Sequence, residues 1–380
     1  MRRGLLLGLL LASALACADT VSHVRFGADA FNRAVSVAAK GTVVFSPLSF
    51  ELDSVALSDA FDPIVKAHFA EQLGVLSDFE GVYGQIIGRL RAGAESNRFS
   101  FASARAMCLP DVRMSSVAYR RDIQRLYSAE ICAATPKEGA EYWLKNMMDG
   151  DMEDFSIPMG AVTRDKYAYY DLASVRFSWQ EPFPTSNSRK IPFVLDDGSR
   201  CEVDAMCDLR AADLWENRRF TLLRLPLADG AWFYAMIPAG GMSLRDMRAE
   251  FSSAKIDDLL SVMRSVSITG VSHGPVAIAI PKMDVMSTVD LVGVFSYFRF
   301  PLKGFSRMDG DIRPALVRQT VRFRLDEQGL DPEPLAEKPA EAIVHADAGT
   351  KRLVLNRPFL FFVYHEPSGT MPIAGQFTGR

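Results

Sequence analysis

The stretch from Asp326 to Thr350 constrains the fold more than any other part of the chain. It reads Asp-Glu-Gln-Gly-Leu-Asp-Pro-Glu-Pro-Leu-Ala-Glu-Lys-Pro-Ala-Glu-Ala-Ile-Val-His-Ala-Asp-Ala-Gly-Thr: polar, rich in proline and alanine, with few large apolar side chains. Such a composition buries too little apolar surface to offset the entropy of ordering it, so it predicts a long exposed loop. Loops of this length are uncommon inside compact domains and usually carry function. A linker to a further domain is excluded by arithmetic, because only about 30 residues remain after it, too few for a core of their own. Those residues are mostly apolar and strand-like. The loop therefore leaves a domain and returns to it.

The body behind the loop is large. Of 380 residues, 48% are apolar and 23% charged, which sets aside disorder, collagen and coiled coil. Lys+Arg 43 against Asp+Glu 46 leaves a formal charge of −3, far from the basic excess that phosphate backbones require, so no nucleic-acid partner is expected. Residues 1–18 stand apart from the body. Met1-Arg2-Arg3 is a positive start, Gly4 to Ala12 an apolar run, and Ala14-Leu15-Ala16 and Ala16-Cys17-Ala18 both fit the small-x-small cleavage pattern of a signal peptide. The run is too short for a comfortable membrane span, and no other stretch of about 18 apolar residues occurs. The mature chain, 19–380, is thus expected outside the membrane, secreted or periplasmic. Ala14-Leu15-Ala16-Cys17 also resembles a bacterial lipobox, which would make Cys17 a lipid anchor.

Without Cys17, the chain keeps Cys108, Cys132, Cys201 and Cys207. This even set is open to two disulfides in an oxidising compartment or to four buried thiols. No Cys-x-x-Cys or His-x-x-x-His spacing supports a metal site or a redox pair, and neither metal nor cofactor is expected.

Periodicity divides the chain. Phe26, Phe31 and Val35, and later Tyr119, Ile123, Leu126 and Tyr127, recur at helical spacing. Between them, Thr42 to Phe45 predicts a short strand, and Ser46-Pro47 a capped helix start. In the second half, Phe220–Leu227 and Ala231–Ile237 flank Ala228-Asp229-Gly230, a hairpin signal. A helix is expected at 243–251, with Leu244, Met247 and Phe251 on one face, and a strand at 276–280. Val321, Phe323 and Leu325 alternate with Arg322 and Arg324, the period of a sheet with one polar face. Leu353 to Tyr364 predicts a strand pair interrupted by Pro358. Helices early and strands late argue for an α+β class rather than a regular βαβ array.

No catalytic constellation emerges. The five histidines, His23, His68, His273, His345 and His365, accompany no recognisable nucleophile, and the chain lacks Gly-x-Ser-x-Gly, His-Glu-x-x-His, a Walker loop and Gly-x-Gly-x-x-Gly. Gly240-Gly241-Met242-Ser243 reads as a helix entry capped by Ser243. Asp149, Asp151, Glu153 and Asp154 read as solvated surface. The expectation is a protein that is not an enzyme.

The run Leu353-Val354-Leu355-Asn356-Arg357-Pro358-Phe359-Leu360-Phe361-Phe362-Val363 resembles the signature of the serpin family, the serine-protease inhibitors, and Pro372-Ile373-Ala374-Gly375-Gln376-Phe377 is similar to the family's final strand. Val44-Phe45-Ser46-Pro47-Leu48-Ser49 resembles the start of its second helix, where the two serines, Ser46 and Ser49, belong to a shutter under the main sheet. Trp143-Leu144, Asp154-Phe155, Phe177 to Phe183 and Ile280-Pro281-Lys282-Met283 match further, more weakly. The resemblance implies a single serpin domain: about nine helices around three β-sheets with an exposed reactive-centre loop. It also implies a monomer, with hinge and loop at 326–352. A target endopeptidase would cleave that loop and be trapped as the freed hinge inserts into the sheet. Family spacing from Gly329 places the reactive bond at Ile343-Val344, suited to elastase-like or subtilisin-like enzymes, with Lys338, Lys351 and Arg352 as trypsin-like alternatives. If this fold holds, Cys108 and Cys132 fall on neighbouring strands, and Cys201 and Cys207 could close a small hairpin.

The hinge departs from the family pattern. Glu327 and Gly329 fit, but Leu330, Pro332 and Pro334 stand where small residues usually slide into the sheet. Each proline lacks an N–H and would forfeit a ladder hydrogen bond. This opens a second reading, a non-inhibitory serpin that acts as a binding protein. Asp171 falls near a position where many serpins have an asparagine that gates sheet opening.

Overall fold

The computed structural model describes residues 23–73, 79–94, 98–135, 137–148, 150–158, 162–264, 271–329 and 350–379. The expected signal segment, Cys17, Leu330, Pro332, Pro334, Ile343 and Val344 lie outside the described residues.

Helix α1 (23–37) buries Phe26, Phe31 and Val35. Strand β1 (Val43–Phe45) leads into α2 (Pro47–Ser58). The Ser46 hydroxyl accepts the Ser49 N–H at 3.1 Å, and Pro47 occupies the first turn, where a missing N–H costs nothing. Every residue of α2 is buried, Glu51 and Asp53 included. Next come α3 (Pro63–Leu73), α4 (Phe79–Ala94), β2 (Phe99–Leu109), α5 (Val117–Tyr127), β3 (Ala129–Ala133), α6 (Lys137–Asn146) and β4 (Lys166–Phe177). The second half runs β5 (Arg189–Val194), β6 (Arg200–Glu216), β7 (Phe220–Pro226), β8 (Ala231–Pro238), α7 (Leu244–Arg248), α8 (Ile256–Arg264), β9 (Val271–Pro281), β10 (Met283–Asp290), α9 (Val292–Tyr297), β11 (Arg313–Leu325), β12 (Lys351–Val354), β13 (Phe359–His365) and β14 (Thr370–Phe377).

One sheet has the order β10-β11-β4-β2-β3; the other runs β1-β14-β13-β8-β7-β6-β9-β12, with β5 added on β6. The α+β class holds. The expected second and third sheets are one hydrogen-bonded network among the described residues, because the long β6 pairs with β5 at one end and β7 at the other. In the five-stranded sheet, side-chain alternation feeds two cores. Met107 and Leu109 of β2 face the large core around α2, whereas Ala104, Ala106 and Cys108 face Leu144, Met148 and Phe155 beneath α6.

The turn between β7 and β8 uses Asp229 at φ 56° and Gly230 at φ 76°, the left-handed pair that a tight hairpin requires. In the last part of the chain, β13 and β14 are inserted into the larger sheet between β8 and the edge strand β1. The runs on either side of Pro358 do not pair with each other: β12 lies parallel to β9 at the edge, and β13 pairs with β8 and β14. The acidic turn is also corrected. Asp149 lies outside the described residues and Glu153 and Asp154 are exposed, but Asp151 is buried, accepting from Ser174 Oγ at 2.8 Å and Arg176 Nε at 2.9 Å.

His365 links the two sheets. Its ring stacks on Phe99 at 4.7 Å between centroids and shares a hydrogen bond with Ser368 Oγ at 2.7 Å. Burial pushes its pKa down to about 4. The folded state therefore keeps the ring neutral where the unfolded chain protonates it. The resulting stability is present above about pH 6.5 and is lost as pH falls toward about 4, roughly 3 kcal/mol in all. Urea melts across that window should show the slope, and His365→Gln should flatten it; an unchanged slope would assign the acid sensitivity elsewhere.

Candidate functional site: the seam and hinge of the five-stranded sheet

Strands β4 and β11 lie side by side and parallel, from Lys166 opposite Arg313 to Val175 opposite Phe323, with one irregularity between Pro314 and Leu316. Being parallel, both end at the same edge of the sheet. There the chain leaves β11 and crosses the end of β4.

This crossing is pinned along its length. The Trp179 indole N–H donates to the Asp326 carbonyl at 2.8 Å, the Phe183 N–H to the Glu327 carbonyl at 2.7 Å, and Gly329 bridges Ser178. Trp179 is fully buried against Phe177, Phe183 and Phe233. The Glu327 carboxylate is buried and held by Lys282 and the Ser188 hydroxyl. Burial pushes this carboxyl up, but the Lys282 and Ser188 hydrogen bonds prevail and hold it below the usual range. Gly329 has φ +74°, and a Cβ there would stand 2.0 Å from the Phe177 carbonyl oxygen. Only glycine allows the chain to turn so close to β4.

Beneath the seam lies a polar cluster. The register places Arg105 of β2 opposite Asp171 of β4, and Asp171 opposite Gln319 of β11, so the three form one rung across three strands. Gln319 Nε2 donates to Asp171 Oδ2 at 2.7 Å, and Ser49 Oγ donates to Asp171 Oδ1 at 2.6 Å. The Ser46 N–H donates to Gln319 Oε1 at 2.8 Å, and the Ser46 hydroxyl to the Pro372 carbonyl at 2.7 Å. Arg105 Nε donates to Asp53 Oδ1 at 2.7 Å, as does the Tyr169 hydroxyl at 3.1 Å. Ser46, Ser49, Asp53, Arg105, Asp171 and Gln319 are all fully buried.

Sequence reasoning pointed to Ser46, Ser49, Asp171, Glu327 and Gly329 and missed Arg105, Gln319, Asp53 and the Trp179 indole. Arg105 had a signal, as a lone charge in the apolar run Phe99 to Leu109. Asp53 had none, since nothing local distinguishes it from a surface carboxylate.

The four described cysteines, Cys108, Cys132, Cys201 and Cys207, are free thiols. Cys201 and Cys207 do not close a hairpin: both lie on the continuous strand β6, about 20 Å apart at ~3.3 Å per residue, far beyond disulfide reach. Cys108 and Cys132 stand opposite each other on β2 and β3 with their sulfurs 3.3 Å apart. The contact with Cys108, followed by burial, pushes the Cys132 thiol up.

The five-stranded sheet thus has a parallel seam between β4 and β11, with the chain that leaves β11 pinned across the end of that seam. The family model for Serpin (serine protease inhibitor) matches residues 22–379. The chain belongs to the serpin family. It is 23% identical to plasminogen activator inhibitor 1 of Bos taurus, over 92% of this chain and 90% of that protein. It is 24% identical to the probable non-inhibitory serpin-Z5 of Arabidopsis thaliana, over 62% of this chain and 51% of that one. The structure of native protease nexin-1 with heparin shares the fold, with a TM-score of 0.79 at 17% identity, covering 96% of this chain and all of the other.

Proposed function

We propose that this chain is an exported serpin, a monomeric domain over 19–380, that offers residues 326–352 to an extracellular serine or cysteine endopeptidase and inhibits it as a suicide substrate. The observation that carries this reading is the parallel β4–β11 seam with its hinge at the open end. The protease nucleophile attacks the Ile343 carbonyl, the bond to Val344 breaks, and the new amine leaves with the proton, so the protease is held as an acyl-enzyme. The freed chain then folds back between β11 and β4. It runs antiparallel to both, replacing one parallel ladder with two antiparallel ones, the more stable pairing. Leu330 to Ile343 suffices to run the length of β4 at ~3.3 Å per residue. No catalytic group of its own and no cofactor is needed. Among the described residues no helix is long and apolar enough to cross a membrane; a lipid on Cys17 would tether the chain to one.

A second reading is favoured by Pro332 and Pro334 alone: the loop is cleaved or ignored, and the body serves as a binding protein. Incubation with elastase-, subtilisin- and trypsin-like proteases separates the two. An SDS-stable complex, with a new N-terminus at Val344, supports inhibition. Cleavage without complex, and without a rise in thermal stability, supports the second reading.

An oxidising compartment also makes a prediction about the thiols. Oxidised glutathione, which takes up the two electrons, should close Cys108–Cys132 and leave Cys201 and Cys207 unlinked to each other. Peptide mapping reads the result. Failure of the first pair to close would mean that the strands hold the sulfurs in the wrong orientation.

A further inference from the structure

We propose that Asp53, Arg105 and Asp171 form a proton-held latch on the β4–β11 seam: a proton on Asp53 keeps the sheet shut, and its loss loosens the seam. The inference rests on reading this seam as the place where the loop inserts.

The charge count comes first. Two carboxyls and one guanidinium are enclosed with no exposure, and the ion pairs of both carboxyls are with the same Arg105, at 2.7 Å to Asp53 and 3.9 Å to Asp171. The groups facing them from the other elements are neutral: Tyr169 on β4, Ser49 on α2, Ser103 on β2, Gln319 on β11 and the Tyr127 carbonyl of α5. Fully ionised, the set would carry one uncompensated negative charge in a low-dielectric interior, which a bound proton removes.

Geometry says where the proton sits. Asp171 has both oxygens occupied by donors, Ser49 on Oδ1 and Gln319 on Oδ2. Asp53 Oδ1 accepts from Arg105 and Tyr169, whereas Oδ2 accepts from no donor and is the oxygen left to carry the proton. Burial first, and the neighbouring Asp171 second, hold the Asp53 carboxyl well above its ordinary value despite Arg105. Tyr169 is likewise held well above its own by burial.

Function comes from the register. Asp171 and Gln319 face each other directly across the seam, and their hydrogen bond must part if a strand is to enter. Gln319 is itself clamped to α2 through the Ser46 backbone. With Asp53 neutral, Asp171 is an anion fully served by its donors and the seam is tight. With Asp53 ionised, two carboxylates repel beneath the seam and are relieved when water enters. The sign is that of a carboxyl with a raised folded pKa: its contribution is complete below the ordinary Asp value of about 4 and is lost as pH rises through the raised value.

Hydrogen exchange on the intact chain, corrected for intrinsic rates and measured from about pH 6 to about pH 10, tests the latch. Amides of 169–173 and 318–320 should lose protection about tenfold or more relative to β13 and β14 as pH rises. In Asp53→Asn this selective loss should vanish. A loss of equal size in the variant, or none in the natural chain, overturns the proposal. Should the variant not fold, infrared spectra of the natural chain with ¹³C-labelled aspartate provide the second reading: a protonated carboxylic acid band at about pH 7 is expected, and its absence overturns the latch. Exchange is read without protease, so a chain that fails to trap its target can still carry the latch, and an inhibitory one can lack it.

Discussion

The double variant Pro332→Ala, Pro334→Ala is expected to end a far larger fraction of its protease encounters as covalent complex than the natural chain. Inhibition is a race between insertion of the loop and hydrolysis of the acyl-enzyme. A proline entering the centre of a sheet has no N–H to offer, and the facing carbonyl on β4 or β11 is left buried and unpaired, at about 1–3 kcal/mol each. Every ~1.4 kcal/mol of that cost felt at the insertion barrier slows the step tenfold. Restoring two donors should therefore improve the ratio of complex to cleaved product by one to two orders of magnitude, roughly 10- to 100-fold. The ratio is read on SDS gels with limiting protease. If it is the same for both chains, the prolines never enter the sheet before the race is decided, and the case for a non-inhibitory hinge collapses with them.

The second large effect is structural. Arg105→Ala should cost about 3–5 kcal/mol, since it leaves two enclosed carboxyls without their shared counter-charge. The side chain also donates to Ser49, Ser103 and the Tyr127 carbonyl, so several elements of the core lose a common partner. Urea denaturation at neutral pH is the measurement. Asp53→Asn, which keeps the shape and replaces a carboxyl the latch holds neutral, should be nearly neutral by comparison. A loss below about 1 kcal/mol for Arg105→Ala would put the cluster in the class of exposed ion pairs and contradict its burial.

These two predictions draw on different kinds of information. The prolines are legible in the sequence because proline's effect is local: it fixes its own φ and removes its own N–H wherever the chain goes. The same is true of the Ser46-Pro47 helix start, the Asp229-Gly230 hairpin and the alternation of Val321, Phe323 and Leu325, all of which appear in the structure as their residues require. Arg105 belongs to the other kind. Its meaning depends on Asp53, Asp171 and Gln319, which sit on three other elements up to hundreds of residues away, and strand register between such distant segments leaves no local mark. Asp151 misled for the same reason. In sequence it shares a turn with acidic, exposed neighbours; in the fold it is buried, with Ser174, Arg176 and Arg324 around it.

The polar excursion from Asp326 to Thr350 shows where the division falls. Composition predicts that this stretch leaves the body, yet its first residues, Asp326 to Gly329, are pinned against it with Glu327 buried, and the apolar residues after Thr350 read as strands of that body. The tertiary structure decided where those strands lie: β13 and β14 are inserted between β8 and the edge strand β1 of the larger sheet, while the end of β11 is pinned over the end of β4. Turn chemistry and hydrophobic period act over a few residues and are written in the sequence. Which strand receives the returning chain, and which charges meet beneath the seam, depend on packing the whole apolar body at once.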